Sequence, residues 1–162
     1  YFTELPPLPP APRPQHVLFV GRLVREKGID LLFDALGALP GDWTCTIVGD
    51  GPWQARIRRD AAARGFGARV TFAGWLNDQP LAAAYAEASV VVVPSRWPEP
   101  FGIVGLEAMA HARPTVAFRV GGIPEWLDDG ATGYAVAPGD TAAMASRIAA
   151  LCANYKDLRV GL

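Results

Sequence analysis

Short, almost wholly apolar runs alternate along this chain with longer stretches in which apolar residues recur every three or four positions. Runs of the first kind begin at His16, Thr44, Val70, Ser89, Thr115 and Gly133. Each is four to six residues long and apolar, most are rich in valine or other β-branched side chains and most are closed by glycine or proline, so each predicts a strand. Stretches of the second kind predict helices over 29–39, 53–64, 80–87, 102–111 and 141–153, with a short one after Gly121-Gly122. Strands without polar alternation belong to a sheet buried on both faces, and their regular alternation with helices makes that sheet parallel. The expected fold class is therefore α/β, a Rossmann-like parallel sheet of about six strands with helices on both faces. Right-handed crossovers carry every strand-to-helix loop to one edge of such a sheet. Ligands bind at that edge, beyond the carboxyl ends of the strands.

The flanks read differently. Six prolines fall among the ten residues 5–14, a composition that favours extended polyproline II and acts as a semi-rigid spacer. The expected organisation is a linker over 1–15, one domain over 16–153 and a truncated tail over 154–162. The chain opens on tyrosine, not methionine, which fits a segment taken from within a longer protein. Its 162 residues suffice for one core, and 51% of them are hydrophobic. A net charge of −1 gives no reason to expect a nucleic-acid partner, and no apolar run reaches the length of a membrane span. Cys45 and Cys152 have no metal-ligand spacing and read as two buried thiols in a reducing compartment.

Candidate chemistry gathers in the loops of the expected binding edge. The segment Glu-Pro-Phe-Gly-Ile-Val-Gly-Leu-Glu is bracketed by Glu99 and Glu107. It passes from a strand through a proline-rich turn into a helix, so the backbone N–H groups of Phe101, Gly102, Ile103 and Val104 lack intrahelical acceptors. With the helix dipole behind them, they form an anion-binding end. Glu107 shares a helical face with Ile103 and Val104 and suits a neutral diol such as a ribose. Glu99, in the loop, reaches the other side of the bound anion. The first loop, Gly21 to Gly28, carries Arg22 and Lys27, a planar fork and a compact cation suited to clamping a diphosphate. It has neither the spacing of a Walker loop nor the glycine pattern of a dinucleotide dehydrogenase. Val48–Pro52 is a glycine turn or, through Gly51, a place of close ligand approach. Trp75 and Leu76 end the third strand, where their backbone would meet a nucleobase; Trp75 reads equally well as packing. Glu125 reads as a cap or salt-bridge partner, and His111 as a helix-end residue. Neither His16 nor His111 belongs to a nucleophile arrangement, and no metal-ligand motif is present.

In order, Gly21-Arg-Leu-x-x-x-Lys-Gly, Val48-Gly-Asp-Gly-Pro, the Pro94-Ser to Glu107-Ala-Met-Ala block, Gly121-Gly-Ile-Pro-Glu and Asp129-Gly-x-Thr-Gly-Tyr resemble the donor-binding half of family 4 (group 1) GT-B glycosyltransferases. The resemblance covers 16 to about 151. It implies that Arg22 and Lys27 hold the donor diphosphate, Glu99 contacts sugar hydroxyls, Glu107 binds the ribose, and amides around Gly102–Val104 meet phosphate and sugar. It implies a UDP- or GDP-sugar as donor substrate, no cofactor, no metal and retention of anomeric configuration. It also implies an acceptor-binding half ahead of the linker, through which an acceptor and peripheral contact with the cytoplasmic face of a membrane are expected, and with them a cytoplasmic, bacterial setting. Trp97 makes the donor loop bulkier than in many relatives. Two other readings stay open: a nucleotide-sugar-binding module without transferase activity, and half of a nucleotide-sugar epimerase.

Overall fold

A computed structural model describes residues 12–99 and 102–154. Six strands, β1 (His16–Val20), β2 (Thr44–Val48), β3 (Val70–Gly74), β4 (Val90–Val93), β5 (Thr115–Phe118) and β6 (Gly133–Val136), alternate with helices α1 (Ile29–Gly37), α2 (Gln54–Ala63), α3 (Asp78–Glu87), α4 (Ile103–Ala110), α5 (Ile123–Trp126) and α6 (Thr141–Asn154). The sheet runs β3-β2-β1-β4-β5-β6, and every pairing is parallel. The expected fold class is what the chain adopts. The proline-rich segment up to residue 11 and the tail from 155 lie outside the described residues.

Both faces of the sheet are covered, which is why its strands are apolar throughout. On one side, α1, α2 and α6 pack Leu32, Phe33, Leu36, Ile57, Met144 and Ile148 against Val17, Phe19, Val90 and Val92. On the other, Tyr85 of α3 and Ala108 of α4 meet Leu18, Val48 and Val91, while Ile123 of α5 and the neighbouring Leu127 cover Val93 and Ala117. All four valines of β4 are buried, and each contributes roughly 1.5–3 kcal/mol by leaving water.

Some boundaries differ from the sequence expectation. Helix α3 starts at Asp78, two residues before Pro80; proline is tolerated there because first-turn N–H groups have no helical partner to lose. Helix α1 ends at Gly37, but Ala38 and Leu39 still bond back to Ala35 and Leu36, so its end tightens rather than stops. Helix α4 begins at Ile103, with Gly102 as its N-cap in the left-handed region at φ 75°. Trp75 is 69% exposed, which removes the packing alternative.

The strand order reverses direction between β1 and β4. Their outgoing loops therefore diverge from adjacent points on the sheet, and the crevice of such a fold opens there. The loops are nonetheless in backbone contact where they start. Gly28 has φ 71°, and a Cβ added to it would lie 1.8 Å from the carbonyl oxygen of Pro94. The second loop is tied to the first in the same way: a Cβ on Gly49 would meet the Gly21 carbonyl oxygen at 1.8 Å, and one on Gly51 the Leu23 carbonyl oxygen at 2.5 Å. The glycines of Val48–Pro52 thus have a packing reason of their own.

At the opposite edge, His16 is 2% exposed and its ring is held by two threonines of β2, Nδ1 to Thr44 Oγ1 at 2.7 Å and Nε2 to Thr46 Oγ1 at 3.0 Å. Burial, aided by the positive charge of Arg13, lowers its pKa from 6.5 to about 4.

Gly28→Ala is expected to destabilise the fold by at least about 2 kcal/mol, since it adds a clash to left-handed strain. Gly65→Ala, at φ 72° but with nothing within 4 Å of the added carbon, should lose only about 1 kcal/mol. Urea unfolding midpoints of the two variants separate these costs. For His16 the folded state favours the neutral ring, so its contribution is complete above pH 6.5 and is lost as pH falls toward 4. Stability curves of wild type and His16→Gln should therefore converge in slope above that window and differ inside it.

Candidate functional site at the switch point

Lys27 sits at the end of a short 3-10 turn, Arg25–Lys27, directly before the glycine that passes under Pro94. That placement carries its ammonium across the switch point to Glu99, with Nζ 2.5 Å from Oε1. The pair is half shielded, with side chains 32% and 15% exposed. Ser95, 1% exposed, donates its hydroxyl to the same oxygen at 2.7 Å. Oε2 of Glu99 receives no hydrogen bond from another described residue and is left to accept from a ligand. Lys27 has three N–H donors and spends one on Glu99.

The backbone of Glu99 is fixed as firmly as its side chain. Its carbonyl accepts the Gly122 N–H at 2.7 Å, and a Cβ on Gly121 would lie 2.3 Å from that same oxygen. The loop between β5 and α5 is thus pressed under Glu99. Two residues N-terminal to Pro98, Arg96 performs the equivalent task on the other flank. Its guanidinium forks onto Asp30 of α1 at 2.7 and 2.6 Å and also donates to the Arg25 carbonyl. Its own N–H bonds to the Glu26 carbonyl at 2.8 Å. Burial alone would raise the Asp30 pKa, but the hydrogen bonds and charge of Arg96 outweigh it and hold the carboxyl below its usual range.

Helix α4 points its first turn into this loop cluster. It has no side-chain cap, so the N–H groups of Ile103 and Val104 are the free donors of its N-terminus. Gly105 lets α5 close on α4, since a Cβ there would fall 1.9 Å from the Trp126 ring. Glu107, one turn further on, is half-buried. Its Oε2 accepts the Tyr85 hydroxyl at 2.6 Å, and its Oε1 has no partner among the described residues. His111 stacks on the Tyr85 ring, centroids 4.9 Å apart and planes 11° off parallel.

The structure pairs Lys27 with Glu99 across the switch point and starts α4 at Ile103, just after Glu99 and Gly102, on the same edge, with Gly21 and Gly51 in the adjoining loops; Glu107 lies one turn along α4, against Tyr85. Arg22 is exposed on the first loop, its side chain without a hydrogen bond or ion pair to another described residue. Phe101 lies outside the described residues. Leu76 is half-buried against the α3 side of the sheet, while Trp75 projects outward and bonds its indole N–H to Asn77. Trp97 and Ile103, on either side of Glu99, are 66% and 65% exposed. Glu125 is exposed at the start of α5 and enters no salt bridge with a described residue. Sequence reasoning missed Tyr85, Arg96 and Asp30, and noted Ser95 only as part of the Pro94-Ser strand end, without its bond to Glu99. The only sequence signal was Tyr85 itself, the one polar aromatic in an alanine-rich helix.

Residues 14–154 match the family described as glycosyl transferases group 1. The chain belongs to the group 1 glycosyltransferases. It is 37% identical to the α-D-kanosaminyltransferase of Streptomyces kanamyceticus over 135 residues, 82% of this chain and 35% of that protein. It superposes on sucrose-phosphate synthase of Thermosynechococcus elongatus with a TM-score of 0.83 at 36% identity, over 91% of this chain and 38% of that one. Anabaena HepE, solved in complex with UDP and glucose, matches with a TM-score of 0.83 at 29% identity, over 91% of this chain and 41% of its own. This group 1 glycosyltransferase chain spans about a third of the curated relatives it matches. Its six-stranded parallel sheet corresponds to one of the Rossmann-like halves of the GT-B fold. Among the described residues no helix is long and apolar enough to cross a membrane.

The Arg96–Asp30 fork joins the two loops that carry Lys27 and Glu99. A double-mutant cycle on Arg96→Ala and Asp30→Ala, read by urea unfolding, should give a coupling of about 1 kcal/mol, the upper range for a partly exposed pair with ideal geometry. A coupling near zero would mean that the loops are held by their backbone contacts alone.

Proposed function

We propose that this chain is the donor-binding half of a retaining, metal-independent glycosyltransferase that moves a sugar from a nucleoside-diphosphate sugar to an acceptor hydroxyl. The carrying observation is the Lys27–Glu99 pair, 2.5 Å apart, set at the switch point of the sheet before the uncapped first turn of α4. In this reading Arg22, Lys27 and the amides of Ile103 and Val104 bind the diphosphate. Negative charge builds on that group as the bond to the sugar breaks, and fixed positive groups stabilise it without reorganising. Two side-chain cations thereby do what a divalent metal does elsewhere.

Glu99 serves the sugar. With Oε1 engaged by Lys27 and Ser95, its remaining oxygen accepts from sugar hydroxyls, and its charge favours positive character at the reacting carbon. Glu107 takes the ribose diol with its open Oε1. Residues 1–15 act as the linker to an acceptor-binding half, which supplies the acceptor site, excludes water on closure and makes any contact with a membrane face. UDP- and GDP-sugars are the proposed donors; the UDP and glucose bound to the related HepE favour uridine. An epimerase half would need a histidine at the cleft. His16 is instead locked between β1 and β2, and His111 is stacked on Tyr85.

Calorimetric titration of the chain with UDP and GDP tests the reading. At least one should bind, and Arg22→Ala and Lys27→Ala should each weaken it by roughly 1–3 kcal/mol, the range for a hydrogen bond to a charged group. Unchanged affinity in both variants would place the site elsewhere. The chain alone should transfer no glucose from UDP-glucose; measurable transfer would overturn the division between halves.

A further inference from the structure

Tyr85 is a phenol where packing asks for a phenyl. It is 1% exposed and sits among Leu18, Val48 and Val91 of the sheet, Ala88 at the end of α3 and Ala108 of α4. A buried hydroxyl without a partner is costly, and phenylalanine would fill the same space at no such cost. The hydroxyl has one acceptor, the Oε2 atom of Glu107 at 2.6 Å. Burial and the adjacent carboxylate raise the Tyr85 pKa far above its ordinary value, so the group stays a donor.

Tyr85 is itself held twice, at its ring and at its backbone. His111 covers one ring face at 4.9 Å, and its Nδ1 donates to the Glu107 carbonyl at 2.8 Å. The buried Arg113 donates to the carbonyls of Tyr85 and Ala86 at 3.1 and 2.6 Å, anchoring the end of α3 beside the end of α4. The donor is therefore rigid, while the glutamate it holds has three rotatable bonds.

We propose that Tyr85 is a positioning residue that makes Glu107 selective for a vicinal diol, by fixing the carboxylate plane so that its open oxygen faces the two ribose hydroxyls. This rests on the reading of Glu107 as the ribose contact. A free glutamate side chain loses rotamer entropy when it is immobilised. Held by Tyr85, it has met that cost before the ligand arrives, so the diol gains the full value of its bonds. Oε2 keeps a second lone pair for one hydroxyl, and Oε1 accepts the other.

The experiment compares UDP and GDP with their 2′,3′-dideoxy counterparts by calorimetry on the full chain, as wild type, Tyr85→Phe, Glu107→Asp and Glu107→Gln. The measured quantity is the ratio of dideoxy to ribo Kd. Tyr85→Phe should reduce that ratio roughly three- to tenfold, the effect of one hydrogen bond of this class, with the dideoxy Kd unchanged. Glu107→Asp keeps the charge but withdraws it from the phenol, and should reduce the ratio by a similar factor. A ratio left intact by both variants, or equal weakening of ribo and dideoxy ligands in Tyr85→Phe, overturns the role of Tyr85. A ratio unmoved by Glu107→Gln overturns the ribose reading itself, and the proposal with it. The two failures are thus told apart.

Discussion

The site depends on one close approach, that of the loop leaving β1 to the loop leaving β4. Strands that are neighbours in the sheet but feed helices on opposite faces should send their loops apart. Here a glycine in the left-handed region lets the first loop pass directly against the Pro94 carbonyl, at a distance no side chain would permit. Lys27 precedes that glycine and Glu99 follows that proline. Their pairing across 72 positions of sequence is a consequence of backbone contact, not of side-chain reach.

Around that contact the neighbouring loops act as wedges. Gly121 and Gly122 lie under Glu99, Gly49 and Gly51 under the first loop, and Arg96 ties the loop after β4 to the start of α1. Most of these restraints are backbone to backbone, which fixes position better than flexible ion pairs do. Preorganisation of this kind is what an electrostatic site needs, since charge that must move to meet its ligand loses part of its effect.

Two carboxylates stand close to a proposed phosphate site, which simple charge counting would forbid. The structure resolves this by giving each a donor of its own: Lys27 and Ser95 for Glu99, Tyr85 for Glu107. One oxygen of each is occupied and the other is open. In the proposed function the acids thereby act as directed acceptors for hydroxyls, and Arg22, the amides of α4 and the remaining donors of Lys27 serve the anion.

Much of the fold could be read from residue order. Apolar strands such as Val90–Val93 announced a two-sided sheet because water must be excluded from both faces, and glycine or proline marked nearly every loop. The start of α3 was misplaced because Pro80 reads as a first residue yet is tolerated anywhere in the first turn. Gly102 was read as helical although its left-handed angle makes it a cap. Of the candidate site, the loops carrying Arg22, Lys27 and Glu99 and the helix start leading to Glu107 were legible, because their chemistry sits beside recognisable turns. The residues that hold them were not. Arg96 looks like any solvated loop arginine, Asp30 like any first-turn acid, and Tyr85 like core. Local periodicity and turn chemistry decided which elements form and where functional groups lie along them, since those depend on neighbours a few residues away. Only the tertiary structure decided which donor meets which carboxylate, because strand order brings together residues that sequence separates by 22, 66 and 72 positions, and a side-chain hydrogen bond exists only within about 3 Å.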